Sequence, residues 1–293
     1  YWVTDVVRKA FRETPSVEEQ GFEAKQGIAT ADDWRFTRAW WEVPWGKATF
    51  PDEHPEVWNG PYCVTNSKWV SYVKGGGFSP YFGETLLNLN WEKYGQEVGA
   101  YQGSYLRNTD YYFRKGLTWP SRPYGRGAFS VVQRGGVFSV SGMLLFTPPE
   151  MDADKVAPIM NSDAYIGLLH LLMPRGGVET EQTLKYEIGY IKTVPFPKDL
   201  GEKDEILMKL GNRAVTARRH ENTASVRSHY FQIPALLQSQ GDTLEKKIES
   251  WQASVVNNRQ MLVETQEKIN EIVFDLYGLG PEDSIGLYMS LYG

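Results

Sequence analysis

Near the C-terminus, Leu244, Ile248, Trp251, Val255, Asn258, Leu262, Thr265, Ile269, Ile272 and Leu276 follow one another at alternating spacings of four and three residues. A helix brings positions so spaced onto one stripe, and an unbroken seam of this kind is the pattern of a helix that packs along another helix. Asp242 followed by Glu245 makes a capping-box-like start, and Gly278 with Gly280-Pro281 makes a stop. A helix of about 33 residues rising 1.5 Å per residue spans roughly 50 Å. Such a seam needs a partner. A second predicted helix over 202–220 can supply it, as can a part of the polypeptide outside this chain or a second copy.

Upstream of Pro197 the texture is different. From Gly27 to about Phe196 short β-favouring runs alternate with Gly and Pro, as at Gly75-Gly76-Gly77, Pro120, Pro123 and Gly135-Gly136. The runs 128–133 and 137–142 flank Arg134-Gly135-Gly136 and predict a hairpin. Residues 163–172 predict a short apolar helix, with Asn161 or Ser162 as its cap. Residues 188–194 predict a strand that stops at Pro195-Phe196-Pro197, and 1–25 a helix followed by an acidic loop. The expected class is therefore α+β: a β-rich, mixed domain over 1–199, then a helical domain over 200–293 with a long coiled-coil-like helix.

A chain of 293 residues suits two domains, and 41% hydrophobic with 23% charged residues is a globular composition. Aromatics reach 14%, including 10 Trp and 17 Tyr. That excess suits carbohydrate binding, base stacking or a Trp-rich core. The net charge of -5 argues mildly against nucleic acid, but only the local field matters for docking. The charges are segregated: Arg107, Arg114, Lys115, Arg122, Arg126 and Arg134 face one acid, Asp110, between 107 and 134, while acids collect in 13–23, 149–154 and 264–283. With one cysteine, Cys63, an intrachain disulfide and a cysteine zinc cluster are excluded, which fits a reducing cytoplasm. No apolar run approaches the roughly 18–20 residues of a membrane span. The chain opens on Tyr1, inside a plausible helix, so a fragment of a longer polypeptide is expected.

Local catalytic motifs are missing. Asn59-Gly60-Pro61-Tyr62 lacks the first proline of an Asn-Pro-Pro-aromatic loop, and Thr147-Pro148-Pro149-Glu150 lacks the aromatic. There is no Gly-rich phosphate loop and no Gly-x-Ser-x-Gly elbow. His54, His170, His220 and His229 lack metal-ligand spacing, and His170, in an apolar helix, reads as a core residue.

Four segments point to a family. They are 25–38 followed by Trp40-Trp41-Glu42-Val43; 68–83 with Asn90-Trp91; 112–122, containing Gly116-Leu117-Thr118-Trp119; and Met160-Asn161-Ser162 with 189–197. In this order they resemble the target-recognition region of type IIG-like, TaqI-like adenine-specific DNA methyltransferases and of those in BREX-type phage defence, over about residues 25–235. The Gly-Leu-Thr-Trp piece is the most specific. The resemblance implies double-stranded DNA as partner and a catalytic domain using S-adenosylmethionine that this chain lacks.

The residues also have a reading of their own. Lys74-Gly75-Gly76 puts an ammonium beside backbone N–H groups with no Cβ, which suits a phosphate; the alternative is a solvated turn. In Arg114-Lys115-Gly116-Leu117-Thr118-Trp119, Arg suits guanine, Lys suits phosphate, Thr118 suits a base or backbone, and Trp119 suits the core. Arg122 and Arg126 flank an exposed-looking loop, and Arg134 sits on a tight turn. Arg213, Arg218, Arg219, Lys246 and Lys247 read as a solvated helix face, with a DNA-backbone contact by Arg218 or Arg219 as the alternative. The functional expectation is sequence-specific recognition of double-stranded DNA for an N6-adenine methyltransferase of a restriction-modification or phage-defence system. It assigns no cofactor or metal to this chain. The alternatives are a carbohydrate- or protein-binding module built on Trp40, Trp41, Trp45 and Trp58, and a freestanding specificity subunit pairing through the seam.

Overall fold

A computed structural model describes residues 3–49, 67–76, 78–123, 126–173, 184–197, 199–280, 282–283 and 286–287. Cys63, His54, Trp58 and the Asn59-Gly60-Pro61-Tyr62 segment lie outside the described residues.

The chain runs α1 (Asp5–Glu13), β1 (Glu23–Lys25), α2 (Asp33–Phe36), β2 (Thr37–Ala39), β3 (Ala48–Thr49), β4 (Trp69–Val73), β5 (Tyr81–Phe82), β6 (Leu87–Asn90) and α3 (Glu92–Ala100). It continues through β7 (Gly116–Thr118), β8 (Ser130–Val132), β9 (Gly136–Phe138), β10 (Leu144–Phe146), α4 (Ala153–Met160), α5 (Asp163–Leu172) and α6 (Ile188–Thr193), then α7 (Lys203–Asn222), α8 (Ala235–Gln238) and α9 (Leu244–Leu276). The content is mixed α and β.

Two sheets result. The first has strand order β1-β10-β7-β8-β5, antiparallel except for the parallel β5–β8 pair. The second has order β2-β6-β4-β3, and β9 joins β4 in parallel beyond the end of β3. The expected hairpin is therefore not formed: β8 belongs to the first sheet and β9 to the second. Gly135 takes φ 111° where the chain crosses between them, a conformation that glycine adopts without a Cβ penalty. A Cβ on Gly136 would sit 3.0 Å from the Ser71 carbonyl oxygen, so its absence lets β9 approach β4.

The first sheet lies against the helices. Leu117, Trp119, Phe129, Val131 and Leu145 share one buried cluster with Ile159, Tyr165, Leu169, Leu207, Ala214, Leu262 and Ile269. The helices after residue 200 thus pack into the same core as the sheet. The second sheet builds a smaller core from Val70, Tyr72, Leu89, Trp91, Val137 and Phe138, closed by Phe36 and Val98.

The local readings divide. Ser162 caps α5, its hydroxyl accepting from the Tyr165 N–H at 3.1 Å. Asn161 instead clamps Phe129, bonding its N–H at 2.9 Å and its carbonyl at 2.8 Å. Residues 188–193 are helical rather than a strand. Their β-favouring content is overridden because Ile188, Ile191 and Val194, spaced by three, all face the main core. The long helix begins one residue later than the sequence suggests, with Thr243 as its cap and Asp242 paired to Lys246 at 2.7 Å. It contains 33 residues. Helix α7 runs antiparallel to it, tied by Lys203–Asp275 at one end and by Asn258 donating to Glu221 at 2.6 Å at the other. Leu262, Thr265 and Ile269 of the seam are buried, whereas Leu244, Trp251 and Val255, beyond the end of α7, are exposed.

Candidate nucleic-acid interface

A cleft of about 650 Å³ opens where the two sheets meet the C-terminal end of α7. Its walls include Lys74, Gly75 and Gly76 just after β4, Thr118 at the end of β7 with Trp119 after it, and Arg218 from α7. Residues of the second and third family-like segments, distant in sequence, are thereby brought to one place. Arg227, Glu84 and Glu221 also line it, so three cations face two carboxylates.

The Lys74–Gly76 turn is built from beneath. The Ser141 hydroxyl donates to the Lys74 carbonyl at 3.2 Å. Gly75 takes φ 81°, and a Cβ there would meet the Ser141 carbonyl oxygen at 3.0 Å. Around Gly76 a Cβ would find open space within 4 Å, so its backbone is approachable. The Lys74 ammonium pairs with Asp33, and partial burial lowers its pKa. Arg218 pairs with Glu221 at 3.0 Å, while its Nε–H has no hydrogen-bond acceptor among the described residues. Arg227 reaches Glu84 at 3.8 Å, and its carbonyl accepts the Trp40 indole N–H at 2.7 Å.

The basic stretch splits. Lys115 reaches Asp154 at 2.6 Å and Asp152 at 2.9 Å. Burial pulls its pKa down, but the two carboxylates more than offset this and leave it raised. Arg126 pairs with Asp163 at 2.8 Å and donates to the Asn161 carbonyl. Asp163 in turn accepts from Asn270 of α9 at 2.7 Å, so the pair ties the loop after β7 to the long helix. Arg114, Arg122 and Arg134 are exposed, with Arg114 over the Tyr111 ring at 5.0 Å. Thr118 donates to the Met143 carbonyl at 3.0 Å. Trp119 is 1% exposed and its indole N–H donates to the Tyr186 carbonyl at 3.0 Å, which makes it core.

His170 bonds the Tyr186 hydroxyl at 2.5 Å in the core. His229, stacked on Tyr230 at 4.2 Å, is pushed down to about 4 by burial. No group of three metal-ligating side chains comes together among the described residues. Thr147 closes a turn by donating to the Met151 carbonyl at 2.7 Å. No helix among the described residues is long and apolar enough to cross a membrane. Sequence reasoning missed Arg227, Glu84 and the Asp163–Asn270 tie. Nothing local in the sequence marks them, because each acts through a partner far away in the chain.

No family model matches the chain. Its sequence is 23% identical over 271 residues to the adenine-specific methyltransferase PglX of Lacticaseibacillus casei (strain Zhang), a match covering 88% of this chain and 21% of that protein. The chain thus spans about a fifth of the length of this curated relative. Among solved structures it is similar to the Type IIL restriction-modification enzyme MmeI in complex with DNA, with a TM-score of 0.53 and 14% identity over 96% of this chain and 36% of that one. At that identity the likeness is one of fold.

Proposed function

We propose that this chain recognises double-stranded DNA for an N6-adenine DNA methyltransferase of a restriction-modification or BREX-type phage-defence system. In this reading methyl transfer from S-adenosylmethionine belongs to a domain outside the chain, and no step of it is assigned to the residues here. The observation that carries the reading is the cleft itself, where Lys74–Gly76, Thr118 and Arg218 converge. Open backbone at Gly76 suits a phosphate oxygen, and Arg218 adds positive charge to the cleft wall. Exposed Arg114, Arg122 and Arg134 supply groups with the fork geometry that guanine edges accept. The similarity to an adenine-specific methyltransferase supports the same reading.

Carbohydrate binding fits the cleft less well. Of the described aromatic residues that line it, Tyr72, Phe82 and Trp119 are 2%, 3% and 1% exposed and Phe78 alone is open, at 55%, so a sugar meets one ring rather than a flat aromatic floor. Duplex binding measured by fluorescence anisotropy against salt tests the proposal. Affinity should fall steeply as salt rises, with a slope of about 0.9 per phosphate contact. Affinity unchanged from low to high salt overturns it.

A further inference from the structure

We propose that the uncovered N-terminal half of α9 pairs antiparallel with the same half of a second copy of this chain, an inference independent of the DNA reading above. Beyond the end of α7 the seam runs on in solvent. Leu244, Trp251 and Val255 are 65%, 43% and 49% exposed, and Val256 beside them is 64%. Farther along the same stripe Leu262, Thr265 and Ile269 are buried. One helix thus carries one apolar stripe, satisfied over its second half and bare over its first. An exposed apolar patch of this kind marks an interaction surface. Helix α8 also lies on this half of α9, on the side of Ser250, whose hydroxyl accepts the Gln240 N–H at 3.3 Å. It leaves the stripe open.

What covers the stripe is read from its symmetry. Written as a heptad repeat, Ile248 and Val255 take position a and Leu244 and Trp251 position d. Glu245, Gln252 and Arg259 then take position e. In an antiparallel pair of helices, e positions face e positions. Glu245 and Arg259 each lie seven residues from Gln252. A two-fold axis near Gln252 therefore sets Glu245 of each copy opposite Arg259 of the other, and Trp251 of each against Val255 of the other. Glu245 and Arg259 are exposed, and neither is in an ion pair among the described residues.

The parallel arrangement gains none of this. It would bring e against g, so that Gln252 meets Lys247 and Arg259 meets Ser254, and no opposite charges pair. A face shaped for a different domain has no need to complement itself about its own midpoint. The contact is small: residues 244–259 span about 24 Å of helix, less than a standard interface uses. The dimer is therefore reversible and forms with rising concentration.

Sedimentation equilibrium of the chain over a concentration series tests this, with circular dichroism to confirm that each variant is folded. The residues exchanged lie in solvent, so the fold does not depend on them. The unaltered chain should show a monomer–dimer equilibrium. Trp251→Ala removes a central aromatic from both sides and should raise the dissociation constant about 30-fold. Glu245→Arg and Arg259→Glu should each raise it roughly 2- to 30-fold. The two exchanges combined in one chain should return it to near the unaltered value, because opposite charges again face each other. A chain that stays monomeric at its highest soluble concentration overturns the inference and leaves the stripe to another part of a longer polypeptide. A dimer indifferent to Trp251→Ala, or one that the combined exchange fails to restore, overturns the antiparallel pairing. Duplex binding is read by a different measurement, so the DNA reading stands or falls separately.

Discussion

Two sets of cations from one stretch of sequence meet opposite fates. Between residues 107 and 134, Lys115 and Arg126 are drawn into ion pairs with Asp152, Asp154 and Asp163, their side chains 20% and 17% exposed. Arg114, Arg122 and Arg134, a few residues away, remain exposed. The first set brings the strand β7 and the following loop onto α4 and α5, and the second is left facing solvent. A basic run in a sequence is thus not one surface. The carboxylates that divide it sit at the N-termini of α4 and α5, where helix dipoles also favour negative charge.

Breaking the buried set should have the largest effect. Arg126→Ala leaves Asp163, 7% exposed, without its cation and the Asn161 carbonyl with Gln266 as its remaining side-chain donor. The expected loss of stability is about 3–5 kcal/mol, measured by urea denaturation, and a loss below about 1 kcal/mol would show that the pair is not structural.

Acid comes next, through a group buried in its neutral form. His229, held near 4, titrates near 6.5 when unfolded. Between those values the unfolded chain binds the extra proton, so stability is full above about pH 6.5 and falls as pH drops toward 4. The loss is about 3 kcal/mol at the acid end. His229→Gln should flatten that part of the pH–stability curve.

Lys115→Met should cost about 1–2 kcal/mol and leave the salt slope of duplex binding as it was, since its charge is already taken up by Asp152 and Asp154. Arg122→Ala and Arg134→Ala should do the reverse. Each should change stability by less than about 0.5 kcal/mol, while lowering the salt slope by about 0.9 wherever the lost group meets a phosphate. If Lys115→Met and Arg122→Ala shift the slope equally, the division of the basic stretch into two sets is wrong.

Much of the fold is legible in one dimension because its signals are local. The long helix announces itself by an unbroken seam. The cap at Ser162 and the core placement of His170 and Trp119 follow from short apolar contexts. The hairpin at 128–142 misleads for a physical reason: Arg134-Gly135-Gly136 is a genuine turn signal, but strand pairing is a competition. β8 finds β7 and β9 finds β4 at a distance the local pattern cannot register. The seam likewise predicts a partner without saying how far that partner reaches. α7 covers it from Leu262 onward and ends before Val255.

By itself the sequence determined the mixed α and β content, the helical C-terminal region, the lack of a local catalytic motif in the segments read, and the segments whose order resembles a known family. Periodicity, turn chemistry and motif order are properties of neighbours along the chain, so they survive without coordinates. Only the tertiary structure decided which cations remain exposed, that Lys74–Gly76, Thr118 and Arg218 share one cleft, and that Trp251 stands in solvent while Trp119 fills the core. Those outcomes depend on contacts across tens to hundreds of residues, such as Arg126 with Asp163 and Arg227 with Glu84. Burial and charge pairing are set by what folding brings alongside a residue.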